Sequence, residues 1–338
     1  MLTSLLSLLF ALAIVFAAAQ LFSNALEYLG EKMGVSEGVT GSVFAAVGTA
    51  MPETIIPMIA ILMGGAAAEV NRDVGVGAIL GAPFMLGTLS LGLMAFFAGR
   101  KRGFNARMNP ERSGLRRDLG LFFTGYTLVA LTALLPHEWQ QARYVVALVL
   151  FMLYFFYLLD TFRASSDLVD AGHATEAEEG LLAARLFGEA RWVLALQLAV
   201  GLGLLVWGAR LFVHGAEEVS AFLGIPVLVV SLLIIPVATE LPEKINSIMW
   251  IRRGKDTLAF GNITGAMAFQ GTVIPGAAML LIPWQIDLQS FAGLSIVLAM
   301  MGAGWLWFLK RAGDLSPRAL LLGIILYSAF LTSVAFAS

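Results

Sequence analysis

The residues best placed to do chemistry in this chain are glutamates that interrupt apolar stretches next to proline. Residues 47–53 read VGTAMPE and residues 237–243 read VATELPE, so Glu53 and Glu243 each follow a proline in two copies of one pattern. Glu240 adds a third acid to the second copy. A charged carboxylate inside a bilayer costs at least about 2.5 to 3.5 kcal/mol. We therefore expect these acids to be protonated, paired with a base or bound to a cation.

The oxygen donors around these acids suit a hard divalent cation, since calcium takes about six to eight oxygen ligands. Thr49 precedes Glu53 by four residues and Thr239 precedes Glu243 by four, so each pair is predicted to share a helical face. A proline inside a helix removes one backbone hydrogen bond. In a membrane, the carbonyl that it leaves needs protein, water or an ion. The breaks are predicted to belong to an ion site, and ordinary proline kinks are the alternative.

Composition places these residues in a membrane protein. Of 338 residues, 59% are hydrophobic and 13% are charged, and the mean hydropathy is +0.85, which is too apolar for one soluble core. The absence of cysteine excludes disulfides and thiolate chemistry. A net charge of -2 gives no indication of nucleic-acid binding. The first apolar run, residues 2–22, lacks a basic start and a cleavage site, so a retained helix is predicted rather than a signal peptide.

Ten apolar segments are long enough to span a bilayer, because a hydrocarbon core about 30 Å thick takes about 20 residues per helix. Of the 21 Lys and Arg, 17 lie in the odd-numbered loops, and the positive-inside rule makes those loops cytoplasmic. Both termini are then predicted to lie outside, in a protein of the plasma (inner) membrane. The segments lie near residues 2–22, 39–63, 73–98, 116–136, 143–162, 191–213, 225–250, 257–283, 288–309 and 317–336.

The chain is predicted to be an all-α polytopic membrane protein made of two related halves. The likeness extends beyond the glutamates, since Gly87 and Thr88 match Gly271 and Thr272. With five helices per half, the second half enters the membrane from the opposite side. That is an inverted-topology repeat, which places a site at the midplane. The predicted divisions are a first repeat at residues 1–162, an acidic cytoplasmic linker at 163–190 and a second repeat at 191–338.

The two copies resemble the alpha repeats of the cation/calcium antiporter superfamily, which includes the sodium/calcium exchangers. The family pattern G-T-S-x-P-E stands here as GTAMPE at residues 48–53 and as ATELPE at 238–243. Its second part stands as GVGAILGAPFML at residues 75–86 and as FGNITGAMAFQ at 260–270. The resemblance implies a ten-helix fold and a divalent ion held by Thr49, Glu53, Thr239 and Glu243.

Several oxygen-bearing positions of the family pattern are changed in this chain. Asn262 is retained, but its counterpart in the first copy is Ala78. A late amide or acid position holds Leu86 in the first copy and Gln270 in the second. The resemblance therefore supports the divalent site and places the sodium sites in doubt. The family serines that help to hold sodium are replaced by Ala50, Glu240, Ala82 and Ala266.

Glu240 and Lys244 allow two interpretations. They are four residues apart with the acid first, the favourable order for an ion pair on a helix. In the first interpretation, the pair is a salt bridge that lets Glu240 be buried. In the second, Glu240 carries protons or is a third ligand, and Lys244 is a tethered cation in space that sodium uses elsewhere.

The leading hypothesis is a secondary antiporter that exchanges calcium, or a similar divalent cation, for protons or sodium by alternating access. Protons are preferred, since a proton needs only a carboxylate. A passive cation channel and an intramembrane metalloenzyme are alternatives, but no water-activating motif favours enzyme activity. No resident cofactor is predicted, and the expected partners are inorganic cations and the lipid bilayer, with no nucleic acid and no obligate protein partner. The predicted metal-binding residues are Glu53, Glu243, Thr49, Thr239, Glu240, Gln270 and Asn262.

Overall fold

The computed structural model describes residues 2–32, 50–63, 68–136, 138–170, 180–188, 190–224 and 226–337, and in these ranges it contains helices and no strand. This agrees with the predicted all-α class. Helices are expected for such an apolar chain, because a helix satisfies its backbone groups within one segment where no water is present. In chain order the helices are α1 (Leu2–Lys32), α2 (Met51–Met63), α3 (Ala68–Met85), α4 (Leu91–Arg102), α5 (Arg112–Ala133), α6 (Gln140–Asp170), α7 (Ala184–Phe187), α8 (Arg191–Leu223), α9 (Val227–Thr239), α10 (Leu241–Arg252), α11 (Asp256–Gln270), α12 (Val273–Leu281), α13 (Phe291–Ala312), α14 (Pro317–Leu320) and α15 (Leu322–Ala337).

Each of the ten predicted apolar segments overlaps at least one of these helices. By length and composition, six helical stretches in the described part of the chain can cross a membrane. Three shorter apolar stretches lie at residues 6–22, 53–63 and 227–237. Half of the predicted segment 39–63 lies outside the described residues. The six long stretches are Ala68–Arg102, Gln140–Ala164, Arg191–Phe222, Asp256–Leu281, Phe291–Ala312 and Pro317–Phe336.

Several helix boundaries differ from the predicted ones. Helix α1 runs on to Lys32 and α6 runs on to Asp170, past the ends predicted at residues 22 and 162. Polar residues fill these extensions, so hydropathy alone ends the segment too early. The predicted segment 225–250 is two helices separated at Glu240, and the segment 257–283 is two helices separated at residues 271–272. These interruptions coincide with proline or glycine, which weaken the helical backbone.

Glycines pack closely against neighbouring helices at two interruptions, the π-helical turn at residues 86–90 and the non-helical residues 271–272. A π-helical turn, Leu86–Ser90, joins α3 to α4, and a Cβ at Gly302 of α13 would lie 1.9 Å from the Gly87 carbonyl oxygen. In the other half, a Cβ at Gly125 of α5 would lie 2.2 Å from the Thr272 side chain and 3.2 Å from the Gly271 carbonyl oxygen. Larger side chains at Gly125 and Gly302 would push these helices apart.

The helices of the two halves pack across each other. Helix α1 lies along α8, and α3 crosses α9. Helix α5 of the first half contacts α11 of the second, and α13 of the second half contacts α3 of the first. Helix α6 packs on α12, while α15 packs on the π-helical turn. Every helix pair in this set joins an element of the first half to an element of the second, so the core is shared between halves.

The basic end of the bundle, which carries Arg102, Arg112 and Lys310, is closed by polar contacts. The guanidinium of Arg102 at the end of α4 pairs with the Asp256 carboxylate at the start of α11. The backbone N–H of Asn109 donates to the same carboxylate at 2.6 Å. Lys310 donates to the Pro110 carbonyl at 2.5 Å. The loop between α4 and α5 is thereby attached to both α11 and α13.

The described end of the predicted linker is attached to α1 and α8. The side chain of Asn24 accepts the Leu182 N–H at 2.9 Å and donates to the Gly180 carbonyl at 3.2 Å. Gln197 of α8 accepts the Ala183 N–H at 2.8 Å. Residues 171–179, the acidic centre of the linker, lie outside the described residues.

Candidate functional site

The second break, residues 236–244, is where the helix that carries the predicted acids is interrupted. Helix α9 ends at Thr239 and α10 begins at Leu241, with Glu240 between them. Pro236 lies inside α9 and has no N–H to donate to the Leu232 carbonyl. That carbonyl faces α3, where a Cβ at Gly81 would lie only 2.2 Å from its oxygen. Glycine at position 81 thus lets α3 approach the weakened part of α9.

Glu240 and Lys244 form the ion pair that their spacing predicts. Both side chains are buried, with exposed fractions of 0% and 6%. The Lys244 ammonium lies 3.2 Å from the Glu240 carboxylate and also donates to the Pro236 carbonyl at 3.0 Å. The backbone N–H of Glu240 donates to that same carbonyl at 3.2 Å. Lys244 therefore neutralises the buried acid and joins the two sides of the break.

The first break, residues 50–57, buries the other predicted acid. Glu53 lies in the first turn of α2 and is 1% exposed. Four residues later, Pro57 has no N–H to donate to the Glu53 carbonyl. Thr54 occupies the position that matches Lys244, and its hydroxyl donates to the Ala50 carbonyl at 2.8 Å. The first break therefore has a buried carboxylate without the lysine of the second break.

Of the remaining predicted ligands, Thr239, Asn262 and Gln270 are all buried. The Thr239 hydroxyl donates to the Ile235 carbonyl at 2.9 Å. Asn262 of α11 donates to the Ser247 hydroxyl of α10 at 3.0 Å. Sequence reasoning missed Ser247, although it lies four residues after Glu243 and so shares a helical face with it.

Gln270, the last residue of α11, is 0% exposed, and among the described residues its amide oxygen and nitrogen have no hydrogen-bond partner. A buried amide without a partner costs about 1 to 3 kcal/mol, so this side chain is expected to have a use beyond packing. It lies directly before the interruption at Gly271. The position and the lack of partners fit a group that binds a ligand for part of a cycle.

Two members of the predicted ligand set cannot be placed. Thr49 and the side chain of Glu243 lie outside the described part of the chain. The backbone of Glu243 belongs to the first turn of α10. Among the described residues, no three Asp, Glu or His side chains converge on one point. The structure therefore brings Thr239, Glu240 and Lys244 together at the second break and places Asn262 on the helix next to it.

A third buried acid, Asp118 of α5, was not among the predicted site residues. It is 1% exposed and accepts hydrogen bonds from the Tyr157 hydroxyl of α6 at 2.8 Å and the Thr264 hydroxyl of α11 at 2.6 Å. Its sequence signal was an acid inside the predicted segment 116–136, next to a basic cluster that suggested a surface location. Asp118 holds three helices together close to Asn262.

Comparisons with known proteins identify the family of the chain. The family model described as sodium/calcium exchanger protein matches residues 3–162 and 193–338. A putative antiporter, CaxA of Alkalimonas amylolytica, is 33% identical over 140 residues, which are 41% of this chain and 44% of that protein. The chain thus spans less than half the length of that relative. The inner membrane protein YrbG of Escherichia coli (strain K12) is 27% identical over 276 residues, 82% of this chain and 79% of its own.

A solved structure of an exchanger has a fold similar to that of this chain. The crystal structure of the H+/Ca2+ exchanger CAX superposes with a TM-score of 0.73 at 17% identity, covering 99% of this chain and 88% of that one. At this identity the likeness concerns the fold alone. The family match covers both halves and leaves out the predicted linker, so the repeated breaks with Glu53 and Glu243 fall within it. The chain belongs to the sodium/calcium exchanger protein family.

Proposed function

We propose that this protein is a secondary antiporter of the inner membrane that moves calcium, or a similar divalent cation, in exchange for protons. The observation that carries the proposal is the buried Glu53 carboxylate in the first turn of the proline-containing helix α2, matched in sequence by Glu243 at the second break. Family membership supports transport rather than catalysis. The name of the Escherichia coli relative supports the inner membrane as the location.

An inverted repeat of ten helices, with both termini outside, is part of the proposal. The packing supports it, because these contacts between the halves occur in pairs. In each pair, the second contact joins the counterparts of the two elements in the first, with the halves exchanged. Helix α5 on α11 corresponds to α13 on α3, and α6 on α12 corresponds to α15 on the π-helical turn. Such repeats place the substrate between two related halves that alternate in access.

The charges at the two breaks suit a divalent cation. With Glu53, Glu240 and Glu243 ionised and Lys244 protonated, the breaks carry a formal charge of minus two, which one divalent cation balances. Hard cations prefer carboxylate, hydroxyl and carbonyl oxygens. We assign Glu53 and Glu243 as the charged ligands and Thr49 and Thr239 as hydroxyl ligands. Glu240, Asn262 and Gln270 complete the set that contributes during the cycle.

Protons are the counter-ion that the side chains favour. At positions where the family has hydroxyls that hold sodium, this chain has Ala50, Ala82 and Ala266, which are buried and carry no side-chain oxygen. When the divalent cation leaves, bare carboxylates in an apolar interior are costly. Protonating them removes that cost, so release of the cation is linked to proton uptake.

Flux in reconstituted vesicles tests the proposal. Vesicles that contain the full chain are given radiolabelled calcium under an imposed pH gradient in sodium-free medium, and separately under a sodium gradient without a pH gradient. Uptake that follows the pH gradient supports proton antiport. Uptake that requires sodium would reject protons as the counter-ion but would still support antiport. Uptake that follows calcium alone and ignores both gradients identifies a passive channel and rejects the proposal.

A further inference from the structure

The basic end of helices α5 and α13 contains a cavity that the transport site does not use. It has a volume of about 390 Å³ and is lined by Arg112, Leu115, Arg116, Trp307, Lys310 and Arg311. Four of these six side chains are cationic. The arginines are exposed, while Leu115 is buried. The cavity is therefore a positively charged pocket with an apolar inner wall.

The acid nearest in sequence, Glu111, is engaged in capping α5. Its carboxylate accepts the backbone N–H groups of Ser113 and Gly114 at 2.7 Å and 2.6 Å. Burial raises the pKa of the Glu111 carboxyl, but the hydrogen bonds from Gly114 and Ser113 and the charge of Arg117 outweigh it and lower the pKa overall. Glu111 thus stays ionised at neutral pH. The other acid that acts on Lys310 is Asp256, which pairs with Arg102, so two acids against four lining cations and Arg102 leave a net positive charge.

A second hollow lies farther along the same two helices and is apolar. It has a volume of about 410 Å³, and Thr127, Leu131, Val297 and Met301 contribute to its walls. Leu131, Val297 and Met301 are each more than half exposed. Because α5 and α13 are packed side by side, the charged pocket and the apolar hollow occupy two levels of one inter-helix groove.

Two glycines leave space beside the helix faces between the pocket and the hollow. Gly120 and Gly304 lie at this intermediate level, and a Cβ at either would have nothing within 4 Å. Gly120 follows Arg116 by four residues, and Gly304 precedes Trp307 by three, so both continue the faces that line the pocket. Phe123 and Trp307 meet edge to face across this level, with ring centroids 6.3 Å apart.

The dimensions of this groove match those of a single membrane leaflet. At 1.5 Å per residue, Arg116 and Leu131 are separated by about 22 Å along α5. Half of a bilayer, including its headgroups, is about 20 to 22 Å deep. Basic pockets between membrane helices bind anionic headgroups, and tryptophan is enriched at the level of the headgroups.

We propose that the groove between α5 and α13 is a binding site for one anionic phospholipid. Arg112, Arg116, Lys310 and Arg311 hold its phosphate-bearing headgroup, and an acyl chain passes Gly120 and Gly304 into the apolar hollow. The charge of the pocket selects an anionic lipid over a zwitterionic one, since the lining cations outnumber the nearby acids Glu111 and Asp256. The site is separate from the transport site and does not depend on it.

Native mass spectrometry of the purified full chain tests this site, with dioleoyl phosphatidylglycerol and dioleoyl phosphatidylcholine as probes. The wild-type chain is expected to retain phosphatidylglycerol preferentially. An Arg116→Gln, Arg311→Gln double variant is expected to bind it about 25-fold more weakly, at about fivefold per removed charge. The matched control is Arg252→Gln, an exposed arginine outside the groove, which is expected to leave the affinity unchanged. Equal retention of both lipids, or an unchanged double variant, would overturn the site.

Two further arms separate the possible occupants. Soluble glycerol phosphate carries the headgroup chemistry without a chain, so protection against thermal unfolding equal to that by phosphatidylglycerol would replace the lipid with a free phosphate compound and overturn the proposal. Gly304→Leu fills the groove below the headgroup and is expected to weaken binding of dioleoyl but not of short-chain phosphatidylglycerol. A lipid-free dimer that dissociates in the double variant would assign the groove to a second copy of the chain instead.

Discussion

The first and second breaks share a glutamate next to a proline but differ in the side chains around it. In both, a helix begins next to a proline and has a glutamate in its first turn, Glu53 in α2 and Glu243 in α10. The first break has Ala50 and Thr54 where the second has Glu240 and Lys244. The difference adds an acid and a base together, so it changes no net charge. The repeated acids are thus separable from the added pair, and substitutions can address each independently.

The largest effect is expected from Glu53→Gln. This change removes one of the two repeated charges and keeps the shape of the side chain, so calcium flux into vesicles is expected to fall to the level of protein-free vesicles. The matched control is Glu69→Gln, an exposed acid at the start of α3, which should transport normally. Normal calcium flux through a folded Glu53→Gln protein would contradict the assignment of Glu53 as a ligand.

The added ion pair is tested by Lys244→Met. Removing the ammonium leaves the fully buried Glu240 carboxylate without its partner, which is expected to cost about 3 to 5 kcal/mol. The double variant Glu240→Gln, Lys244→Met makes positions 240 and 244 uncharged, like residues 50 and 54, and should regain most of the lost stability. Thermal unfolding in detergent measures both. If the double variant is no more stable than the single one, the two residues are not coupled.

A third contrast between the halves is Gln270, whose counterpart is Leu86. Gln270→Leu removes a buried amide that has no hydrogen-bond partner, so the melting temperature in ion-free buffer is expected to rise while calcium affinity falls. The expected gain is about 1 to 3 kcal/mol. Asn262→Leu is the control, since it removes the hydrogen bond to Ser247 and should lower stability. A Gln270→Leu protein that is less stable and transports normally would make Gln270 a packing residue.

The smallest effect is expected where the halves differ at their ends. Asp256 pairs with Arg102 of α4, whereas at the corresponding place in the other half Arg72 donates to the Pro283 carbonyl at 2.9 Å. Arg102→Gln should cost about 1 kcal/mol, because the pair is partly exposed. The loss should shrink at high salt, which screens such pairs. Arg100→Gln, at an exposed position two residues earlier on α4, is the control for the general loss of one charge.

Much of the fold could be predicted because a bilayer allows few choices. Apolar length marked every described helix except the four-residue α7, since a membrane-spanning segment must be helical and about 20 residues long. Interruptions inside helices were harder. Pro236 and Pro242 indicated the break at Glu240, but nothing in the sequence around Leu86 predicted a π-helical turn. That turn depends on Gly302 from a distant helix, and such packing is not visible in local sequence.

For the site, the repeated pattern pointed to Glu53, which is buried, and the four-residue spacing predicted the Glu240–Lys244 ion pair; their roles in ion binding stay predictions. Ser247 and Asp118 were missed for different reasons. Ser247 has meaning only through its contact with Asn262 on another helix. Asp118 follows two arginines and looks like part of a surface cluster, yet it is buried by Tyr157 and Thr264. Contacts between helices that are far apart in sequence determine which polar residues face inward.

Proton release on calcium binding tests the central claim most directly. Purified protein in weakly buffered detergent at pH 7, without sodium, is titrated with calcium while a pH-sensitive dye records the protons released. If calcium and protons compete for the same carboxylates, binding should release protons in proportion to the calcium bound, and Glu53→Gln should abolish both signals. Calcium binding without proton release in the wild-type protein would contradict exchange at a shared site.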